Sequence, residues 1–317
     1  MNILLFSPSR EIFYYCGYEG IGALLVAGKK KYLFAPEMEF PKIKGVTVIR
    51  TKDLLQAVSE KIKKLGLKKL NIEITIPRIL YRKLKTRLKI KFCDFQSERT
   101  LKTKKEILKI KKACNLTDKI FKKLLINFSF KTELQIKNFI VNEIRKTGCM
   151  PAFEPIVASG KNASKPHYNG NSRLKRGFLV IDFGVKYKGY CSDMSRTIYL
   201  GKPMKKEKEL YGKVVIELTK LTKQVRPGLK CASLANLYKL KNFMPHSLGH
   251  GIGLEPHESP AISQKSKDKF SKGMCFTLEP SVYGKDYGIR IEDVIYLDKK
   301  ALVLTKSTKR LINMTSI

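Results

Sequence analysis

The chain of 317 residues has no tryptophan, only four histidines, and far fewer acidic than basic side chains, 27 Asp+Glu against 64 Lys+Arg. Its seven cysteines, Cys16, Cys93, Cys114, Cys149, Cys191, Cys231 and Cys275, form an odd number and show no C-x-x-C spacing. That pattern argues against a disulfide framework and against a cysteine zinc site, so a reducing compartment is expected. Long apolar runs are missing too. The opening MNILLF is too short for a signal peptide, and no apolar stretch approaches the ~18 residues that a membrane span needs. The expectation is a soluble cytoplasmic protein with no membrane partner.

What is abundant is lysine. A formal charge of +37 raises the question of a nucleic-acid or anionic partner, because clustered cations release counterions from phosphates. The lysines, however, are spread through every region and accompany frequent Ile and Asn, as a biased genome base composition would produce. A solvated basic surface is expected rather than a nucleic-acid site.

Residues 1–99 alternate short apolar runs (NILLF, ALLVAG, KYLFAP, VTVIR, LNIEI) with a charged helical stretch, DLLQAVSEKIKKLGL. Strands interleaved with helices predict a small α/β domain. A long amphipathic helix is predicted from Ser97 to about Phe128, with Ile107, Ile110, Ala113, Leu116, Ile120 and Leu124 at three- and four-residue steps. A second helix follows Thr132 and is closed by Gly148. Beyond residue 150 come glycine-punctuated strands in two groups, separated by the helical stretch KKEKELYGKVVIELTKLTKQV. Strands and helices grouped apart predict an α+β domain over 100–317 rather than a doubly wound parallel sheet.

Carboxylates sit inside these strands. Asp182 lies in LVIDFG, where an unpaired buried charge costs several kcal/mol or more. A hairpin centred between Tyr187 and Lys188, with Gly189 able to take positive φ, would place Asp193 opposite it. The arrangement recurs: Glu279 in CFTLEP and Glu292 in IRIED flank SVYGKDYG, another glycine-containing turn. Like charges in such pairs repel and raise one another's pKa unless a cation neutralises both. Four carboxylates carry the charge of −4 that two divalent ions would cancel. Oxygen-rich ligation with one imidazole suits Mn, Co, Fe or Zn. A lone Asp or Glu in a strand is more often an edge charge or half of an ion pair, and Glu292 alone could pair with Arg290.

Three of the four histidines crowd into HSLGHGIGLEPHESP, residues 246–260. The spacing of His246 and His250 imitates a helical zinc motif, but no glutamate follows His246, and Gly249, Gly251 and Gly253 disfavour a helix. The segments SGKNASKPHY, LVIDFG with CSDMSRT, HSLGHGIGLEPHESP, TLEP and IRIED, in that order, resemble the M24 metallopeptidases. These are the pita-bread enzymes that include methionine aminopeptidase, prolidase, aminopeptidase P and creatinase. EIFYYCGYEGIGALLV near the start resembles the N-terminal domain of the prolidase and creatinase branch.

The resemblance implies a creatinase-like N-terminal domain over 1–99 and a pita-bread catalytic domain over 100–317. It implies that Asp182 binds one metal, His250 and Glu279 the other, and that Asp193 and Glu292 bridge them, the ions being Mn or Co, with Zn or Fe as alternatives. A hydroxide between the ions would be the nucleophile and Glu279 would receive its proton. His257 would meet the scissile carbonyl, His167 and His246 would line the substrate site, and Arg290 would orient Glu292. The short interval from Glu279 to Glu292 resembles prolidase and aminopeptidase P, which implies cleavage of the N-terminal bond before proline, in a homodimer. The alternatives are methionine aminopeptidase activity and a basic binding protein of the same fold without catalysis. One departure bears on the substrate: where several dipeptidases carry an arginine after the H-E-x-P segment, this chain has Ala261, which points to peptides longer than two residues.

Overall fold

The computed structural model describes residues 1–314 apart from 74, 75 and 77, so the Ile74 end of the predicted LNIEI strand lies outside the described residues. The chain divides into two compact units, Met1–Arg99 and Thr100–Ile317.

The first unit is built on a six-stranded mixed sheet in the spatial order Thr47–Thr51, Lys30–Pro36, Ala23–Ala27, Asn2–Phe6, Lys69–Glu73, Lys89–Cys93. Asn2–Phe6 is central and its apolar run is continuous because both faces are covered. Leu4 joins Leu25, Phe34, Val58 and Ile62 on one side, while Ile3 and Leu5 join Ile12, Leu24 and Leu33 on the other. The helix Leu54–Lys64 supplies Val58 and Ile62 and starts at Asp53, whose carboxylate accepts the Gln56 N–H. A further helix, Arg78–Lys85, has no counterpart in the sequence reading.

The second unit is α+β, and the long helix that leads it runs Lys104–Ile126. It begins seven residues later than the predicted Ser97, because Thr103 and Glu106 form a reciprocal capping box that sets its first turn. Residues Gln96–Arg99 form a separate short helix in the first unit. Thr132 caps the helix Glu133–Lys146, and Gly148 just past its end takes φ +72.

Two sheets carry the site, and each hides its outer face beneath helices. In the first, Gly177–Phe183 pairs with Met194–Leu200 and Ile156–Ser159. Leu179, Ile181, Phe183, Met194 and Ile198 pack with Ile120, Leu124, Ile136 and Ile140 of the two helices just described. In the second, Cys275–Leu278 pairs with Asp293–Leu297 and Gly249–Gly251. Phe276, Leu278, Ile291 and Ile295 pack with Val214, Leu218 and Leu221 of the helix Lys205–Gln224. Side chains alternate along a strand, so the residues between these apolar ones face the other way. They are Asp182, Ser195 and Thr197 in one sheet, and Thr277, Glu279 and Glu292 in the other. The inner faces of the two sheets thus bring the carboxylates together in the layered plan that the resemblance implies.

Candidate metal centre

The two carboxylate pairs are built by hairpin register. For Glu279 and Glu292 the sequence expectation holds: Leu278 pairs with Asp293 on one side and Ser281 with Arg290 on the other. Both registers place Glu279 opposite Glu292. For Asp182 the register differs from the expectation: it pairs with Ser195, not with Asp193. Tyr187 pairs with Tyr190, and the intervening Lys188 and Gly189 have φ +47 and +83. Two successive positive φ values make a two-residue turn matched to strand twist, which moves the hairpin centre one position along. The opposite register therefore shifts by two residues. Asp193 stays on the same face as Asp182, on the diagonal instead of directly across.

His250 enters from the short strand Gly249–Gly251, where a Cβ at Gly249 would lie 2.0 Å from the Thr277 carbonyl oxygen and one at Gly251 2.1 Å from that of Ser259. The glycines flanking His250 let backbone close in on both sides. Its Nδ1–H donates to the Gly251 carbonyl at 3.1 Å, which leaves the lone pair on Nε2. That nitrogen faces Glu279 Oε1 at 3.7 Å, Asp193 Oδ2 at 3.8 Å and Glu292 Oε1 at 3.8 Å.

Ligand atoms of Asp182, Asp193 and Glu292 lie within 4.8 Å of one another, as do those of His250, Glu279 and Glu292. Asp193, His250 and His257 form a third such group. Asp193, His250 and Glu292 each belong to two of these groups. His257 is exposed, and its ring lies tilted by 60° with its centroid 3.9 Å from that of His250. His167 is exposed as well.

Arg290 ties the centre together. Nη2 donates to Asp182 Oδ2 at 2.6 Å, Nη1 to the Tyr283 hydroxyl at 2.8 Å and to the Pro166 carbonyl at 3.1 Å, and Nε to Ser195 Oγ at 2.9 Å. Ser195 donates in turn to Glu292 Oε2 at 2.9 Å. Arg290 thus reaches Asp182 directly and Glu292 only through Ser195. His246 Nδ1–H donates to the Ser247 carbonyl at 2.9 Å, so Nε2 accepts from the Tyr283 hydroxyl at 3.2 Å. Ser195 and Tyr283 were not singled out from sequence. Their signal is parity: Ser195 is two residues from Asp193 and shares the inner face of its sheet.

Crowding and burial shift the titration of the groups at the centre. Burial, then repulsion from Glu292, Asp182 and Glu279, pushes the Asp193 carboxyl well above its usual range. Burial and Glu292 do the same to Glu279. Burial, then Asp182, raises Glu292 to about 7. The imidazoles move the other way: burial, then His257, brings His250 down to about 3, and burial brings His246 down to about 4. Burial also lowers His257. Burial works against the Arg290 charge, but Asp182 and its neighbours more than offset this and raise it. Neutral imidazole and crowded carboxylates converge, and Asp182 Oδ1, Asp193 Oδ1 and Glu292 Oε1 are buried without a hydrogen-bond partner. Buried oxygens without partners are rare and costly. A donor set of carboxylate oxygens and one imidazole suits divalent cations, so the residues fit the metal pair.

The family model for metallopeptidase family M24 matches residues 108–299. The Xaa-Pro dipeptidase of Pyrococcus horikoshii is 32% identical over 98% of this chain and 95% of its own length. Among solved structures, an Xaa-Pro dipeptidase from Bacillus anthracis superposes with a TM-score of 0.92 at 30% identity, covering 99% of this chain and 95% of that one. An X-Pro aminopeptidase from Thermotoga maritima gives the same TM-score at 26% identity, covering 99% and 97%. With Asp182, Asp193, His250, Glu279 and Glu292 all inside the matched span, the chain belongs to metallopeptidase family M24.

Proposed function

We propose that this protein is a metal-dependent peptidase that hydrolyses the N-terminal peptide bond preceding proline. The observation that carries the reading is a knot of buried carboxylates in which Asp182 Oδ1, Asp193 Oδ1 and Glu292 Oε1 lack hydrogen-bond partners, while the lone pair of His250 faces Glu279, Asp193 and Glu292 at 3.7 to 3.8 Å. Asp182, Asp193, His250, Glu279 and Glu292 would hold two divalent ions, Mn or Co, with Asp193 and Glu292 shared between them. When bound, such a pair supplies nucleophilic water at neutral pH and polarises the scissile carbonyl.

The side chains do the rest. Glu279 would take the proton from the attacking water and pass it to the leaving nitrogen. His257, neutral and exposed, donates to the carbonyl oxygen as negative charge develops there. His246, its tautomer set by Ser247 and Tyr283, lines the substrate site with His167. Ala261 pairs with His250 in the strand register and is exposed. It offers no cation to a dipeptide carboxylate, which favours longer peptides. Unit 1–99 serves as the creatinase-type N-terminal domain and 100–317 as the catalytic domain, in a homodimer.

No helix among the described residues is long and apolar enough to cross a membrane; the cytoplasmic site of action rests on the odd cysteine count without C-x-x-C spacing. The test is release of the first residue from Xaa-Pro-Yaa peptides by protein loaded with Mn or Co, beside Xaa-Pro dipeptides and Met-Ala-Ser. Two bound ions without cleavage of any proline-containing peptide would overturn the specificity.

A further inference from the structure

The segment Gly253–His257 carries the His257 ring to the centre, and the next residue holds that segment from beneath. Glu258 folds back so that Oε1 accepts the N–H groups of Leu254 at 2.9 Å and Glu255 at 3.2 Å. Its Oε2 receives Lys102 Nζ at 2.9 Å, and the two side chains are only 1% and 2% exposed. A Cβ at Gly253 would lie 2.5 Å from that Oε2, so the segment is closed down on the carboxylate. Lys102 is itself anchored: its N–H donates to the Gly273 carbonyl at 2.8 Å, and Leu101 bridges to Met274 just before the strand Cys275–Leu278. On its other side the segment meets Cys191, whose N–H donates to the Gly253 carbonyl at 2.7 Å. Cys191 lies two residues before Asp193.

Burying an ion pair costs desolvation, and a well-packed apolar pair often holds a fold as well or better. What an apolar pair cannot do is accept the Leu254 and Glu255 N–H groups. The geometry points to Lys102 and Glu258 as positioning residues: Lys102 fixes the carboxylate, the carboxylate fixes the backbone at 254–255, and that backbone sets the His257 ring against the centre. The inference rests on the reading of His257 as the group that meets the scissile carbonyl.

Two double variants test it, each removing the Lys102 ammonium and the Glu258 carboxylate charge together. Lys102→Met with Glu258→Leu removes the acceptor; Lys102→Met with Glu258→Gln keeps a carbonyl oxygen for the two N–H groups. With only four histidines in the chain, the imidazole resonances of 15N-histidine-labelled, zinc-loaded protein are few enough to assign. The Leu variant is expected to move the His257 resonances but not those of His167. It should lower kcat of the cobalt-loaded protein by about tenfold or more, with KM and a content of two ions per chain unchanged. The Gln variant should recover both resonances and kcat. Wild-type His257 resonances in the Leu variant, or an equal loss of kcat in both variants, would overturn the assignment. A wild-type kcat in His257→Ala would overturn the reading of His257 instead. The positioning itself stands or falls on the resonances, so the two failures read differently.

Discussion

Arg290 Nη2 lies 2.6 Å from Asp182 Oδ2, joining residues 108 positions apart at the meeting of the two sheets. One planar side chain thereby orients Asp182, reaches Glu292 through Ser195 and sets Tyr283 against His246.

Those contacts depend on a fork of donors, which lysine cannot reproduce as a point charge. Arg290→Lys should keep the fold yet lower kcat/KM by about 10- to 100-fold, the usual cost of losing a partner that orients metal ligands. Steady-state kinetics on an Xaa-Pro peptide, with circular dichroism as the control for folding, checks this. Full activity in the lysine variant would remove the orienting role.

Metal binding should release protons. Asp193 and Glu279 are held well above their usual range and Glu292 at about 7, so the metal-free centre carries protons near neutrality that a cation must displace. The same shift has a sign in stability. A carboxyl raised from 4.5 to about 7 binds more protons folded than unfolded across that interval. The metal-free protein therefore loses stability as pH rises from about 4.5 to 7, and the loss is complete above the folded value. Calorimetric metal titration in buffers of different ionisation enthalpy should show proton release falling as pH passes through this window. Thermal melts of metal-free protein should fall over the same interval, and melts of loaded protein should not.

Asp193 belongs to two of the ligand groups, so Asp193→Ala should cost both ions and all measurable turnover. Elemental analysis and peptide hydrolysis on the same sample read the two losses together. A salt-sensitive RNA affinity that survives this change would favour a binding role for the basic surface.

Behind Glu292, Arg196 forms a buried ion pair with Asp293 at 2.7 Å and donates to the Glu292 carbonyl. Burial works to raise Asp293, but Arg196 and Lys309 more than offset it and hold the carboxyl below its usual range. This contribution to stability is present above the ordinary carboxylate pKa and is lost as pH falls through the lower folded value. Arg196→Met leaves Asp293 paired with Lys309 alone, at 2.8 Å, and should destabilise by about 1.5–3 kcal/mol, the worth of a hydrogen bond to a charged group. Urea unfolding at pH 7 measures that figure. A change under about 1 kcal/mol would place the pair among the weak surface-type bridges.

Much of the architecture is local enough to be read along the chain. Period-two alternation puts Glu279 and Glu292 on the face opposite Phe276, Leu278 and Ile291, and a symmetric interval about SVYGKDYG sets their register. Thr132 and the apolar steps of the long helix from Ile107 to Leu124 are equally local signals, because caps and helix faces depend on residues three or four apart. The α+β class, the family and the carboxylate faces follow from these patterns. Other features were decided only in three dimensions. The Asp182 register turned on two positive φ values at Lys188 and Gly189. The Arg290 and Ser195 contacts, the Lys102–Glu258 pair and the raised carboxyls arise where sheets from distant segments close on one another. Periodicity fixes which way a side chain points, but what it meets and how far water is excluded depend on packing between elements, which no short stretch of sequence contains.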